Sequence, residues 1–198
     1  MRNPANPPLP TFLPGTLHLC RGDWRDYDAL APFHYAAGRP ATTDAIWTIR
    51  YAPRHPSSVR WRIVAVGVLS YPAPSCFARE RCLGRRHLSR TRNLRFANRH
   101  VRTISRVIVH PQFRALGLST ALVRWICQHC KTRYIEAIAA MGTAHPFFER
   151  AGMRRVELAA EDLARRRRRR KRPYLYFFLD RSRRRSRSRS RSPRAKEL

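Results

Sequence analysis

The run from Val101 to Val109 carries apolar side chains on both faces: Val101, Thr103, Ser105, Val107 and Val109 alternate on one, Ile104 and Ile108 on the other. A strand apolar on both sides belongs in the middle of a sheet, with other elements packed above and below it. After the linker HPQFRALG, Leu118, Leu122, Trp125 and Ile126 recur at i, i+4, i+7 and i+8, the period of a helix with one buried stripe. A further strand is expected over residues 134–140, so the helix reads as a crossover between two strands of one sheet.

The flanking sequence fits the same α/β layout. Residues 16–20 alternate like a short strand, and Asp23 is placed to cap a helix whose inner face is Trp24, Tyr27, Leu30 and Ala31. Residues 45–51 and 61–69 are rich in β-branched and aromatic side chains and are separated by prolines and serines, which predicts two antiparallel strands. Residues 71–99 are basic and broken by proline, and read as an insertion carrying Cys76, Cys82 and a short helix around Arg92 to Arg99. A short helix over 146–151, stopped at Gly152, precedes two closing strands at 153–158 and 173–179. The expected fold is a mixed central sheet of about six to seven strands with flanking helices. It occupies residues 16–180, between a proline-rich arm (1–15) and an Arg/Ser-rich tail (181–198), both expected to be disordered.

Composition removes several classes of protein. With 198 residues, 43% of them hydrophobic, the chain supports one ordinary core. No run approaches the roughly 18 apolar residues of a membrane span. The opening lacks the apolar segment of a secretory signal, and the five cysteines are an odd count, so reduced thiols in a cytoplasm are expected. Cys127-Gln128-His129-Cys130 has zinc-like spacing, but Cys127 falls beside the buried stripe of the helix, so buried thiols and no metal are expected. The net charge is +30, and residues 165–198 hold 17 of the 42 Lys and Arg against Asp180 and Glu197. Only three of the basic residues are lysine, a bias that suits bidentate contacts to phosphate.

The chemistry concentrates between Val107 and Leu122, VIVHPQFRALGLSTAL, which puts Arg114, Gly117 and Ser119 at the start of a helix just after the central strand. Helix starts present unpaired N–H groups and a positive dipole end, so a pyrophosphate is held by amides there, and Gly117 permits close approach. This arrangement resembles the GNAT superfamily of N-acetyltransferases, whose cofactor motif is Arg/Gln-x-x-Gly-x-Gly/Ala after a Val-x-Pro strand end. Val109-His110-Pro111 and Arg114-Ala115-Leu116-Gly117-Leu118-Ser119 match it in order and spacing, with Ser119 in place of the last Gly or Ala. MGTAHPFFERAGM, Met141 to Met153, aligns with the family's Asn-x-x-Ala-x-x-x-Tyr-x-x-x-Gly-Phe run, retaining Ala144 and Gly152.

The resemblance implies a GNAT-like acyl-CoA N-acyltransferase fold in which two central strands splay apart to receive the pantetheine arm, with acetyl-CoA as co-substrate and a primary amine of unknown identity as acceptor. Cofactor contacts are then expected from Val107, Ile108, Val109, Arg114, Ala115, Leu116, Gly117, Leu118, Ser119, Thr120 and Phe148. Met141 stands where the family often has an asparagine, and Phe148 where it often has a tyrosine that protonates the departing thiolate. The strand carboxylate that often serves as base is missing between His100 and Val109, which leaves Glu136 and His145 as candidates. The basic run from Arg165 to Arg172 falls in a loop that the resemblance puts at the acceptor entrance. It reads either as solvated surface or as a contact for RNA, DNA or a nucleic-acid-bound protein, and the RSRRRSRSRSRSPR tail would add to the second role. The alternative to an enzyme is a module of the same fold, with catalysis weak or lost, that binds nucleic acid through this loop and tail.

Overall fold

Strong β-formers in three successive runs give β1 (Gly15–Arg21), β2 (Ala45–Pro53) and β3 (Arg62–Ser70), paired antiparallel in chain order. The computed structural model describes residues 15–36, 38–53, 62–139, 146–157, 160, 163–164 and 174–182. The sheet continues with β4 (Val101–Val109), β5 (Tyr134–Ala139), β6 (Arg154–Val156) and β7 (Leu175–Asp180), in the spatial order β1-β2-β3-β4-β5-β7-β6. β4 is therefore the middle strand of seven, and its pairing with β5 is parallel. A parallel neighbour requires a crossover, which α4 (Leu118–His129) supplies.

Helices cover both faces. On one lie α4 and α5 (Phe147–Arg150), packed against Ile104, Ile135, Ala137, Phe177 and Leu179. α4 buries Leu118, Ala121, Leu122, Val123, Ile126 and Cys127, a wider stripe than the sequence suggests, while Trp125 is only half-buried, stacked on His129. Burying a Leu or Ile side chain contributes about 1.5–3 kcal/mol. α4 lies so close to β3 that a Cβ on Gly67 would come within 2.7 Å of Ile126 Cδ1. At its far end Arg181 donates to the carbonyls of Gln128, Cys130 and Thr132, satisfying groups that a helix end leaves open.

The opposite face carries α1 (Trp24–Leu30), α2 (Phe77–Cys82) and α3 (Arg90–His100). Asp23 caps α1 as its sequence position predicts, accepting from the N–H groups of Arg25 and Asp26, while the Asp26 carboxylate accepts from the Asp23 N–H. Asp26 also holds Arg50 of β2 at 3.1 Å. Segment 71–99 supplies α2 and α3, whose Cys76, Ala78 and Ala97 pack with Val101, Tyr134, Tyr176 and Phe178. Among the described residues no helix is long and apolar enough to cross a membrane.

Candidate functional site

The middle strand contains a break in its alternation. β3 and β4 pair in register until Val68 meets Arg106 and Leu69 meets Ile104, which leaves Ser105 as an extra residue in β4. This bulge reverses the side-chain alternation beyond it. Ile104 therefore joins Val107 and Val109 on the α4 face, and Ile108 packs with Tyr27, Leu30 and Val66 on the α1 face. That corrects the expectation of a single unbroken alternation from Val101 to Val109. The Ser105 hydroxyl fixes the bulge through Ser70 Oγ at 2.6 Å and the Val68 carbonyl at 3.2 Å.

At the same place β4 parts from β5. The two strands pair from Val101 with Tyr134 to Ile104 with Ala137, and no further. β4 stays on β3 as far as Val109, while Ile138 and Ala139 of β5 stay on β7. A fork thus opens between two backbone edges, and edges of this kind accept an extended ligand as an added strand. It lies within a cleft of about 430 Å³, lined on its strands by Ile104, Ser105, Arg106, Val107, Val109, Ile138 and Ala139.

At the mouth of the fork the chain turns through Pro111–Phe113 into α4. Ala115 (φ 63°) and Gly117 (φ 76°) both adopt the left-handed conformation, one that a non-glycine residue rarely takes. Gly117 precedes the first helical residue and offers no side-chain cap, so the leading N–H groups of α4 face the cleft without an internal partner. A Cβ on Gly117 would meet nothing within 4 Å, because the space in front of it is the cleft. Arg114 secures the turn through the carbonyls of Val109 and Phe33, at 3.4 and 3.5 Å.

Of the residues expected to hold a cofactor, Val107, Val109, Arg114, Ala115, Gly117, Leu118, Ser119, Thr120 and Phe148 line this cleft together. Phe148 is buried and stacks on Phe177 at 4.9 Å. Ile108 and Leu116 do not line it: the bulge turns the Ile108 side chain to the other face, and Leu116 packs against the α4-side core. His145 and Met141 lie outside the described residues.

Glu136 is displaced from its expected role. It sits where β4 and β5 are still paired, on the α2 side of the sheet, and is fully buried. Its carboxylate is held by Arg79 Nη1 at 3.0 Å, the Thr103 hydroxyl at 2.8 Å and the Tyr176 hydroxyl at 2.7 Å. Burial and the neighbouring Glu136 charge push the Tyr176 hydroxyl well above the ordinary phenol range, and burial pushes Cys76 up to about 12. A carboxylate enclosed by three donors and absent from the cleft lining has no access to a proton there.

The cleft instead contains a histidine that periodicity does not single out. His34 follows the turn Ala31–Phe33 at the end of α1, and lines the cleft with Tyr35 and Arg106. Its Nδ1 lies 3.2 Å from the Ala36 carbonyl oxygen and 3.1 Å from the Ala36 nitrogen. Burial, and to a smaller extent the charge of Arg106, hold its pKa below the usual histidine value, against an opposing hydrogen bond to Ala36. The signal in the sequence was there, a histidine just after a helix end, but nothing local says that this loop meets β4. No group of three His, Cys, Asp or Glu able to hold a metal occurs among the described residues.

The fork and the uncapped helix start share one cleft, which has room for an extended ligand and unpaired N–H groups at one end. The model of the acetyltransferase (GNAT) family matches residues 43–153, more than half of the chain, and the chain belongs to that family of N-acetyltransferases. No curated protein sequence matches it. Among solved structures it is similar to a mutant agmatine N-acetyltransferase in its apo form, at 13% identity and TM-score 0.47, covering 83% of this chain and 99% of that one. A GNAT-family acetyltransferase from Bacillus cereus aligns at 14% identity and TM-score 0.46, over 84% and 98% of the two chains. The polyamine N-acetyltransferase of Drosophila melanogaster aligns at 14% and 0.46, over 83% and 100%.

Proposed function

We propose that the protein transfers an acetyl group from acetyl-CoA to a primary amine. One observation carries this reading: the β4–β5 ladder stops at Ile104 and Ala137, and the fork it leaves opens toward the uncapped start of α4. An acyl-pantetheine arm fits the open backbone edges, and its pyrophosphate fits the N–H groups of Leu118, Ser119 and Thr120. Bound there, acetyl-CoA supplies the thioester carbonyl that the amine attacks.

His34 is the group that takes the amine's proton. Nδ1 has two partners in Ala36 that select opposite tautomers: it accepts from the Ala36 N–H when unprotonated and donates to the Ala36 carbonyl when protonated, and the second tautomer is the reactive one, because it leaves the Nε2 lone pair for the acceptor nitrogen. The depressed pKa keeps the imidazole neutral near pH 7, as a base requires. Phe148 has no proton to give a leaving thiolate, but a thiol's ordinary pKa of about 8.5 is near enough to neutrality for departure without one. The five cysteines form no disulfide among the described residues, which fits a reducing compartment such as the cytoplasm.

Calorimetric titration of acetyl-CoA tests the first part. Micromolar binding is expected for the wild-type chain and none for Gly117→Glu, which puts a carboxylate in the open space before α4. Absence of wild-type binding overturns the proposal. For the base, His34→Gln is expected to lower kcat by about 10²- to 10⁴-fold. The wild-type kcat/KM should rise with pH through a value below the usual histidine range and then level off. The charged and titratable groups around His34 are Arg106 on β4, Tyr35 stacked at 4.4 Å, and Arg114 and His110 against Phe33. An acidic limb that persists in His34→Gln assigns the base elsewhere.

A further inference from the structure

The charge inside the cleft is one-sided. Arg106, Arg114 and Arg150 line it, and none of its lining residues is Asp or Glu. Five of the nine described carboxylates are paired with other arginines, Asp26 with Arg50, Asp28 with Arg39, Asp44 with Arg102, the buried Glu136 with Arg79 and Asp180 with Arg133, and the other four, Asp23, Glu80, Glu149 and Glu157, do not line the cleft. Outside the described set, residues 54–61 and 140–145 contain no acid, and the acids there are Glu161, Asp162 and Glu197.

Two of the three arginines stand on the α4 side, Arg114 at the turn into α4 and Arg150 at the end of α5. Arg106 differs. Beyond the bulge it alternates with Val107 and Val109 and so turns to the α1 face, where the His34 loop meets β4. Its Nη1 donates to the Ser105 carbonyl oxygen at 2.9 Å, and among the described residues its buried Nε has no hydrogen-bond partner and no carboxylate pairs with it. A guanidinium with no counter-ion among the described residues, beside the group that takes the amine's proton, repels a cationic acceptor and attracts an anionic one. It also disfavours the ammonium form of the bound amine, which must be neutral to attack.

Resting on the transferase reading above, we propose that the acceptor is a small amine that also carries a carboxylate or phosphate group, bound with its anion on Arg106 and its amino nitrogen at His34. The amino nitrogen bonds to the acetyl carbon, the carbon–sulfur bond breaks with its electron pair leaving on the thiolate, and the amine's proton passes to His34 Nε2. That proton then goes to the thiolate or to solvent. A cleft of about 430 Å³ shared with the acyl arm leaves room for a small acceptor only.

Initial rates of thiol release from acetyl-CoA by the full chain, with O-phosphoethanolamine, glutamate, tyramine and agmatine as acceptors, test this, alongside calorimetry of acetyl-CoA and of each amine into CoA-loaded protein. The two anionic amines are expected to exceed tyramine and agmatine in kcat/KM by roughly tenfold or more, the scale of one charge-assisted contact. Whichever of the two is faster names the anion. Arg106→Gln should erase the preference and shift the acidic limb of the pH profile upward, with acetyl-CoA affinity unchanged, and Arg106→Lys should restore most of the preference. Agmatine or tyramine turning over as fast as the anionic amines overturns the acceptor assignment and leaves the transferase standing. So does the absence of binding heat from both anionic amines in protein that binds CoA. Loss of acetyl-CoA binding in the wild type is a separate result: it removes the transferase reading, and the acceptor assignment falls with it.

Discussion

At the scale of single residues, the contrast between Glu136 and His34 shows how position in a fold decides what a titratable group does. Glu136 has the residue type of a base, yet its three partners make it a structural anion. Removing one partner from a buried ion pair leaves the other charge uncompensated, at a cost of about 3–5 kcal/mol. Glu136→Gln should therefore lower the midpoint of thermal unfolding sharply while leaving activity per folded molecule within a few-fold of wild type. Unchanged stability with lost turnover would return Glu136 to the chemistry. The Arg79 pairing spans 57 positions in the chain, and nothing local in an Arg-rich stretch marks which arginine is drawn inside. His34 was missed for a related reason, because its neighbours in space are Arg106 and the turn into α4 rather than anything beside it in sequence.

Among the elements, those with strong periodicity were readable. The capped α1, the strands 45–53 and 62–70, the central strand and the crossover helix all lie where alternation and helical spacing put them. Two things were not. The bulge at Ser105 adds one residue, and a period-2 reading carried across it assigns Ile104 to the wrong face. α2 was invisible because its inward residues are Ala78 and Arg79, too small and too polar to write an apolar stripe. Where the elements meet, Gly67 sets how closely α4 approaches β3, and α4 carries the candidate phosphate cradle at its start. Gly67→Val should overpack this contact, costing about 1–3 kcal/mol. It should also weaken acetyl-CoA binding, as read by denaturant unfolding and calorimetry on the same variant. Full stability in Gly67→Val would mean that the helix shifts freely on the sheet.

Across the whole molecule, the +30 charge is the property least explained by the fold. The basic run from Arg165 to Arg172 and the tail beyond Ser182 fall outside the described residues, so their reading rests on composition. Phosphate contacts made by such segments release counterions, with a log-log salt slope of roughly −0.7 to −0.9 per contact. The full chain should accordingly bind a fluorescein-labelled single-stranded oligonucleotide with steep salt dependence, and a chain ending at Ser182 should show a shallower slope while retaining acetyl-CoA binding. Equal slopes would assign the contacts to the folded body. Binding of acetyl-CoA in the fork between β4 and β5 is read out by amide hydrogen exchange of the full chain with and without acetyl-CoA. Slowed exchange confined to the open edges at 105–109 and 138–139 and to the start of α4 at 118–120 is the predicted result. Protection elsewhere, with those amides exchanging as fast as in the free chain, would contradict it.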